Sequence, residues 1–150
     1  MFKQIYKRFR SLKRIISNYF LCLKYPFLKI TEEYRIKRFN IYQYTWLDDV
    51  PEGWKGLAMD MFDELKKTGI KFYFRQIKEK WGRLTIYFSL YNHSDVDWHT
   101  IQNIIEKYSE MSTRVCIMCG KPAEYTSIGW ISPFCKNCIG SRPYTKIKHD

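Results

Sequence analysis

Four of the five cysteines fall into two Cys-x-x-Cys pairs, Cys116-Ile-Met-Cys119 and Cys135-Lys-Asn-Cys138, separated by fifteen residues. Each pair can occupy a tight turn that aims both sulfurs at one point, and the segment between them is long enough to run out and return as a short hairpin. The spacing predicts a four-thiolate, tetrahedral site for one structural Zn²⁺ held by Cys116, Cys119, Cys135 and Cys138. Gly120 removes a side chain where the chain must fold back, and leaves backbone N–H groups free to bond the thiolates. Residues 114–150 are too few to bury a core unaided, whereas structural zinc supplies roughly 10–16 kcal/mol of apparent binding energy to units of this size. The metal is therefore expected to be structural, with no coordination position open for catalysis.

Three other uses of the cysteines compete. Iron in a rubredoxin-like site takes the same turn, and softness alone does not separate it from zinc. Disulfides would leave one cysteine over in a chain without a visible secretory signal. Redox Cys-x-x-Cys motifs usually occur singly and beside a βαβ pattern. Cys22, the odd cysteine, lies on the apolar side of the first segment and reads as a buried small residue.

Lys and Arg outnumber Asp and Glu by 26 to 15 in 150 residues. That surplus points to a polyanionic partner. It sits at the two ends: net +9 over residues 1–40, −2 over 41–113 and +4 over 114–150. These boundaries also divide the expected α+β architecture into a basic N-terminal helix and arm, a small helix–hairpin–helix core, and a four-cysteine zinc ribbon with a basic tail. No apolar run reaches the length of a membrane span, so a cytoplasmic protein of a bacterial cell is expected.

The apolar residues of the first segment recur at three and four from Phe2 to Leu23, the mark of an amphipathic helix. Such a helix packs on its own protein, follows a phosphate backbone, or lies on an anionic membrane; packing on the core ranks first and membrane contact last. Pro26 ends it. Residues 27–47 are rich in aromatic and β-branched types and should run extended. Asp49 and Pro51 read as the start of a helix that presents Trp54, Leu57, Ala58, Met61, Phe62 and Leu65 and stops at Gly69. Ile70 to Tyr91 reads as a hairpin, with Lys78 to Gly82 as its turn and Tyr73, Arg75, Arg83 and Tyr87 on the outer face. Ser94 and the following acids cap a last helix carrying Trp98, Ile101, Ile104, Ile105, Tyr108 and Met111.

Five stretches together resemble small zinc-ribbon proteins of phages, prophages and related bacterial mobile elements, a group without an assigned activity. They are Tyr25-Pro-Phe-Leu28, Thr45-Trp-Leu-Asp-Asp-Val-Pro-Glu-Gly-Trp54, Ile77-Lys-Glu-Lys-Trp-Gly-Arg-Leu84, Cys116-Ile-Met-Cys-Gly-Lys-Pro122 and Gly129-Trp-Ile-Ser-Pro-Phe-Cys135. The resemblance implies a mobile-element setting and a ribbon fused to a small α/β unit.

These features suggest a non-catalytic nucleic-acid-binding accessory protein that meets DNA or RNA largely through phosphates. The candidate contacts are Lys3, Lys7, Arg8, Arg10, Lys13, Arg14, Arg75, Arg83, Lys136 and Arg142. The alternative is a protein-interaction effector, similar to an anti-CRISPR inhibitor, anchored by Tyr42, Tyr44, Trp46, Trp130 and Phe134. A metal-dependent nuclease using His93, Asp95 and Asp97 ranks third. No small-molecule substrate is expected, since no phosphate loop, carboxylate pair or nucleophilic triad is visible.

Overall fold

The structure is a computed structural model that describes residues 2–30 and 42–148, with backbone alone for 2–10. It is a mixed α+β fold. Helix α1 (Phe2–Lys24) leads into a 3₁₀ turn at Pro26–Leu28; a second 3₁₀ turn, Trp46–Asp49, precedes α2 (Lys55–Lys67). Strands β1 (Phe72–Lys80) and β2 (Arg83–Leu90) form an antiparallel hairpin, followed by α3 (Asp95–Ser112). A smaller antiparallel sheet in the order β4-β3-β5 closes the chain: β3 (Tyr125–Ser127), β4 (Pro133–Phe134) and β5 (Tyr144–Lys146).

The main core lies between the hairpin and helices α2 and α3. Ala58, Met61, Phe62 and Leu65 of α2 are buried, as are Ile101, Ile105 and Tyr108 of α3. Ser94 caps α3 as expected, accepting from the Asp97 N–H. Trp98 and Met111, expected in the core, are exposed on α3, while Ser109 and Ser112 are buried in their place. Ser112 is the better fit because its hydroxyl donates to Ser109 O and accepts from Leu84 N at 2.8 Å, joining α3 to β2.

Immediately after Pro26 the chain turns instead of running extended. Its 3₁₀ turn drives Phe27 and Leu28 into the core, where Phe27 stacks on Phe72 at 4.8 Å and meets Phe62 and Phe74. Burial of one such ring is worth about 1.5–3 kcal/mol, enough to set the path of the chain. Lys29 pairs with Thr45 across the intervening segment. At Thr45 a capping box with Asp48 starts the second 3₁₀ turn. Asp49 does not cap α2: it accepts from the Tyr44 hydroxyl, and α2 begins six residues later after a third short turn, Glu52–Trp54. The part of the expected extended arm at 31–41 lies outside the described residues.

The hairpin departs from simple alternation at one point. A β-bulge at Arg75 shifts the register between Phe74↔Phe88 and Gln76↔Tyr87. The extra residue lets Phe72, Phe74 and Ile77 share the buried face. The strands run on to Lys80 and Arg83, so the turn is Trp81-Gly82 alone, with φ of 55° and 75°. Two positive φ values in a two-residue loop match the right-handed twist of the strands.

Helix α1 is the largest departure. Its docked side is polar and small: Arg14 pairs with Asp48 at 2.6 Å, Asn18 donates to Tyr42 O at 2.7 Å, Gln43 donates to Ser11, and Cys22 is buried. The apolar stripe expected to join the core faces away from the protein instead. Leu12, Ile16, Phe20 and Leu23 are 55%, 49%, 62% and 60% exposed.

Candidate metal centre

Each cysteine pair sits on a turn whose backbone the sequence dictates. In the first, Gly120 N–H donates to Cys116 O at 2.9 Å and Cys116 N–H donates to Lys121 O at 2.8 Å, so the chain reverses within five residues. Gly120 has φ +76° and faces Gly53 O, which an added Cβ would approach to 2.9 Å. In the second, Cys138 N–H and Ile139 N–H both donate to Cys135 O, and Gly140 (φ +60°) ends the turn. The two turns are joined by Ile117 N–H donating to Pro133 O at 3.0 Å.

All four thiol sulfurs lie within 4.8 Å of one another, and Cys119 Sγ is 3.6 Å from Cys135 Sγ. A tetrahedral ion with metal–sulfur bonds of about 2.3 Å requires sulfurs about 3.8 Å apart. The separation is far beyond the roughly 2.05 Å of a disulfide. The cluster therefore has the donor set and spacing to hold a metal ion such as zinc. Its electrostatics favour a cation. Burial would raise the Cys135 thiol, but hydrogen bonds from the Cys119 and Cys138 thiols and from backbone N–H groups bring it down to about 7. Cys138 is pushed up to about 12, chiefly by its bond to Cys135. Neighbouring sulfurs cannot all become anions unless positive charge is placed among them.

The site is anchored to the core by the segment before α2. Gly53 N–H donates to Ile117 O at 2.9 Å and Trp54 Nε1–H donates to Val115 O at 2.8 Å. Trp54 is fully buried, so one face of its indole serves the core and its nitrogen holds the entry to the first turn. Phe134, Cys116, Cys135 and Ile139 form a separate small cluster beneath the sheet of β3, β4 and β5.

The other expected contacts scatter. Arg14 is engaged by Asp48, and Arg83 by Glu106 and Glu110. Arg142 donates to Cys138 O and Ile139 O and lies 4.8 Å from the Phe134 ring centroid, so its guanidinium closes the second turn. Lys13, Arg75 and Lys136 are exposed, Arg75 at the bulge. The side chains of Lys3, Lys7, Arg8 and Arg10 lie outside the described residues. Among the expected anchors, Trp46 and Phe134 are each 6% exposed and belong to the two cores. Tyr42 and Tyr44 are half-buried, the first ring edge-on to Tyr19. His93, Asp95, Asp97 and His99 do not converge on a site; among the described residues the four cysteines form the one grouping that could hold an ion.

What the sequence reading missed is the neighbourhood of Trp81. This residue and Trp130 are 71% and 78% exposed and line one cleft of about 290 Å³ with Lys80 and Ile131. The hairpin tip meets the cysteine unit there: a Cβ on Gly82 would come within 3.2 Å of Ile131. Ser127 holds Trp130 in place, its buried hydroxyl donating to Trp130 O and accepting from Ser132 N–H at 3.1 Å. The signal was available in the Trp-Gly dipeptide, since a two-residue turn with Gly second calls for positive φ at the residue before it. Set against known protein families, curated proteins and solved structures, the chain matches none.

Proposed function

We propose that this chain is a non-catalytic nucleic-acid-binding protein in which one structural zinc stiffens the C-terminal unit as a ribbon. Its recognition surface is the junction of that ribbon with the hairpin tip, where unpaired bases stack on Trp81 and Trp130. The observation that carries the reading is Trp81 itself. A bulky residue at positive φ is sterically costly, and such strain persists where surroundings or use demand it. The two-residue turn sets this conformation but favours Asn, Asp or Gly there, and the ring is 71% exposed, so neither the turn nor burial accounts for an indole at this position. Two exposed indoles on a unit rich in lysine have the composition of a single-strand platform, in which rings take bases and cations track the backbone. Lys80 lines the same cleft, and Lys121, Lys136 and Lys146 are exposed on the cysteine unit. The resemblance to mobile-element proteins gives the setting.

The test is titration of the zinc-loaded chain with labelled single-stranded DNA and RNA and with duplex DNA at several salt concentrations. Affinity should fall steeply with salt, prefer single strands, and weaken by about 1–3 kcal/mol in each of Trp81→Ala and Trp130→Ala. Absent binding, or binding insensitive to both salt and the two substitutions, refutes it.

One observation favours a protein partner instead. A larger cleft of about 540 Å³ beside Trp130 is lined by Ile117, Met118, Ile128 and Pro143, an apolar surface of the type that seats interface anchors. A partner that remains bound after nuclease treatment and is lost in Trp130→Ala would select this reading.

A further inference from the structure

We infer that α1 is a membrane-surface helix whose exposed apolar face lies in the interface of an anionic phospholipid bilayer. The proposal goes beyond the nucleic-acid reading and uses none of its residues at the hairpin tip. Three observations carry it. First, the helix docks on its own protein through the wrong side for core formation. Ser11, Arg14, Asn18, Leu21 and Cys22, one stripe at helical spacing, face the body of the fold. Leu12, Ile16, Phe20 and Leu23 form the opposite stripe and stand about half exposed or more. Soluble monomers seldom leave a continuous apolar face of this length uncovered.

Second, charge selects among the surfaces that could cover it. Residues 1–30 contain eight Lys or Arg and no Asp or Glu. A second copy of the helix would set those charges against themselves, and a nucleic acid would neutralise them but offer nothing for Leu12, Ile16, Phe20 and Leu23 to enter. An anionic bilayer meets both needs, with headgroups for the cations and acyl chains for the apolar stripe. Third, the helix lies on a membrane rather than crossing one. No helix among the described residues is long and apolar enough to span. Its 23 residues make a rod of about 35 Å, with Lys13 and Lys24 exposed beside the stripe. In the sequence the same three-and-four repeat continues back through Phe9, Ile5 and Phe2.

The experiment is co-sedimentation of the full, zinc-loaded, nuclease-treated chain with vesicles. One set is phosphatidylcholine alone; the other is phosphatidylcholine with phosphatidylglycerol in equal amounts. The chain should bind the anionic vesicles and leave the neutral ones largely free. The double variant Ile16→Glu/Phe20→Glu should lose about tenfold or more in partitioning, with unchanged circular dichroism and metal content, since neither side chain is in the core. Lys13→Glu, which leaves the apolar stripe intact, should weaken binding as well. Failure of the parent chain to bind anionic vesicles, or equal binding by the double variant, overturns the inference. So does a parent chain that is dimeric in solution and becomes monomeric in the double variant, because a second copy then covers the face.

Discussion

Replacing Gly53 by alanine tests how the fold holds the candidate metal centre. A Cβ at this position would lie 2.1 Å from Cys116 O and 2.6 Å from both the carbonyl carbon and oxygen of Ile117. These are backbone atoms of the first cysteine turn, so no side-chain rotation relieves the overlap. The segment Glu52–Trp54 and the turn must separate by about 1 Å, and the bond from Gly53 N–H to Ile117 O at 2.9 Å is lost with that movement. Overpacking against fixed neighbours costs about 1–3 kcal/mol and a lost hydrogen bond about 0.5–1.5, which together give roughly 2–4 kcal/mol. For a chain of this size that corresponds to a fall in Tm of about 5–15 °C. The turn carries Cys116, so zinc affinity should fall with it, by at least about tenfold if only 1.4 kcal/mol of the strain reaches the site. Urea unfolding and competition with a chromophoric chelator measure the two effects. Gly56→Ala is the control: nothing lies within 4 Å of its added Cβ, and alanine suits α2, so it should be neutral or slightly stabilising. Equal midpoints and equal zinc affinity for Gly53→Ala and the parent chain would refute the reasoning.

Three further outcomes are expected. Trp81→Asn should raise the unfolding free energy by about 1 kcal/mol, because asparagine tolerates positive φ, while binding of any partner at the cleft falls; a fold weakened by the change, measured by urea unfolding, would mean the indole is structural. Tyr25→Phe removes the bond that the buried hydroxyl donates to Asp63 at 2.6 Å and that, with Lys24 beside it, holds the Asp63 carboxyl below its ordinary value of 3.8. A depressed acid contributes stability above its unfolded pKa and loses it as pH falls through the folded one, so the gap between variant and parent should close on acidification and be full at neutral pH. Removing metal with a chelator, or lowering pH until protons displace it from the thiolates, should unfold residues 114–148 before the α2–hairpin–α3 core. Protection of amide hydrogens in both regions, followed by mass spectrometry, would show whether the order is as stated.

The cysteine site could be read from the sequence because its determinants are local: two pairs, a glycine after the first, and a loop long enough to return. The same holds for α2 and α3, whose apolar repeats and Ser94 cap are contained within single elements. The failures share a different origin. The spacing of Leu12, Ile16, Phe20 and Leu23 correctly gives a helix, yet which side docks is decided by Asp48, Tyr42 and Gln43, residues far along the chain. Strict alternation from Phe72 and Phe74 would put Ile77 on the outer face, and the bulge that buries it leaves no mark in the pattern before it. Trp46 and Phe134 looked like anchors for a partner, but aromatic residues carry no label for inside or outside, and the segments that bury them are distant.

The extra residue at Arg75 also decides where the far end of the hairpin points. Ironing the bulge out, so that Arg75 takes the place opposite Tyr87, would restore strict two-residue repetition along β1, turning Ile77 to solvent and moving every later residue of the strand to the other side of the ribbon of backbone. Trp81 would then swing away from Trp130, and the two rings would no longer share a cleft. A single inserted position, remote from both indoles, thus works as the sight that aims one at the other.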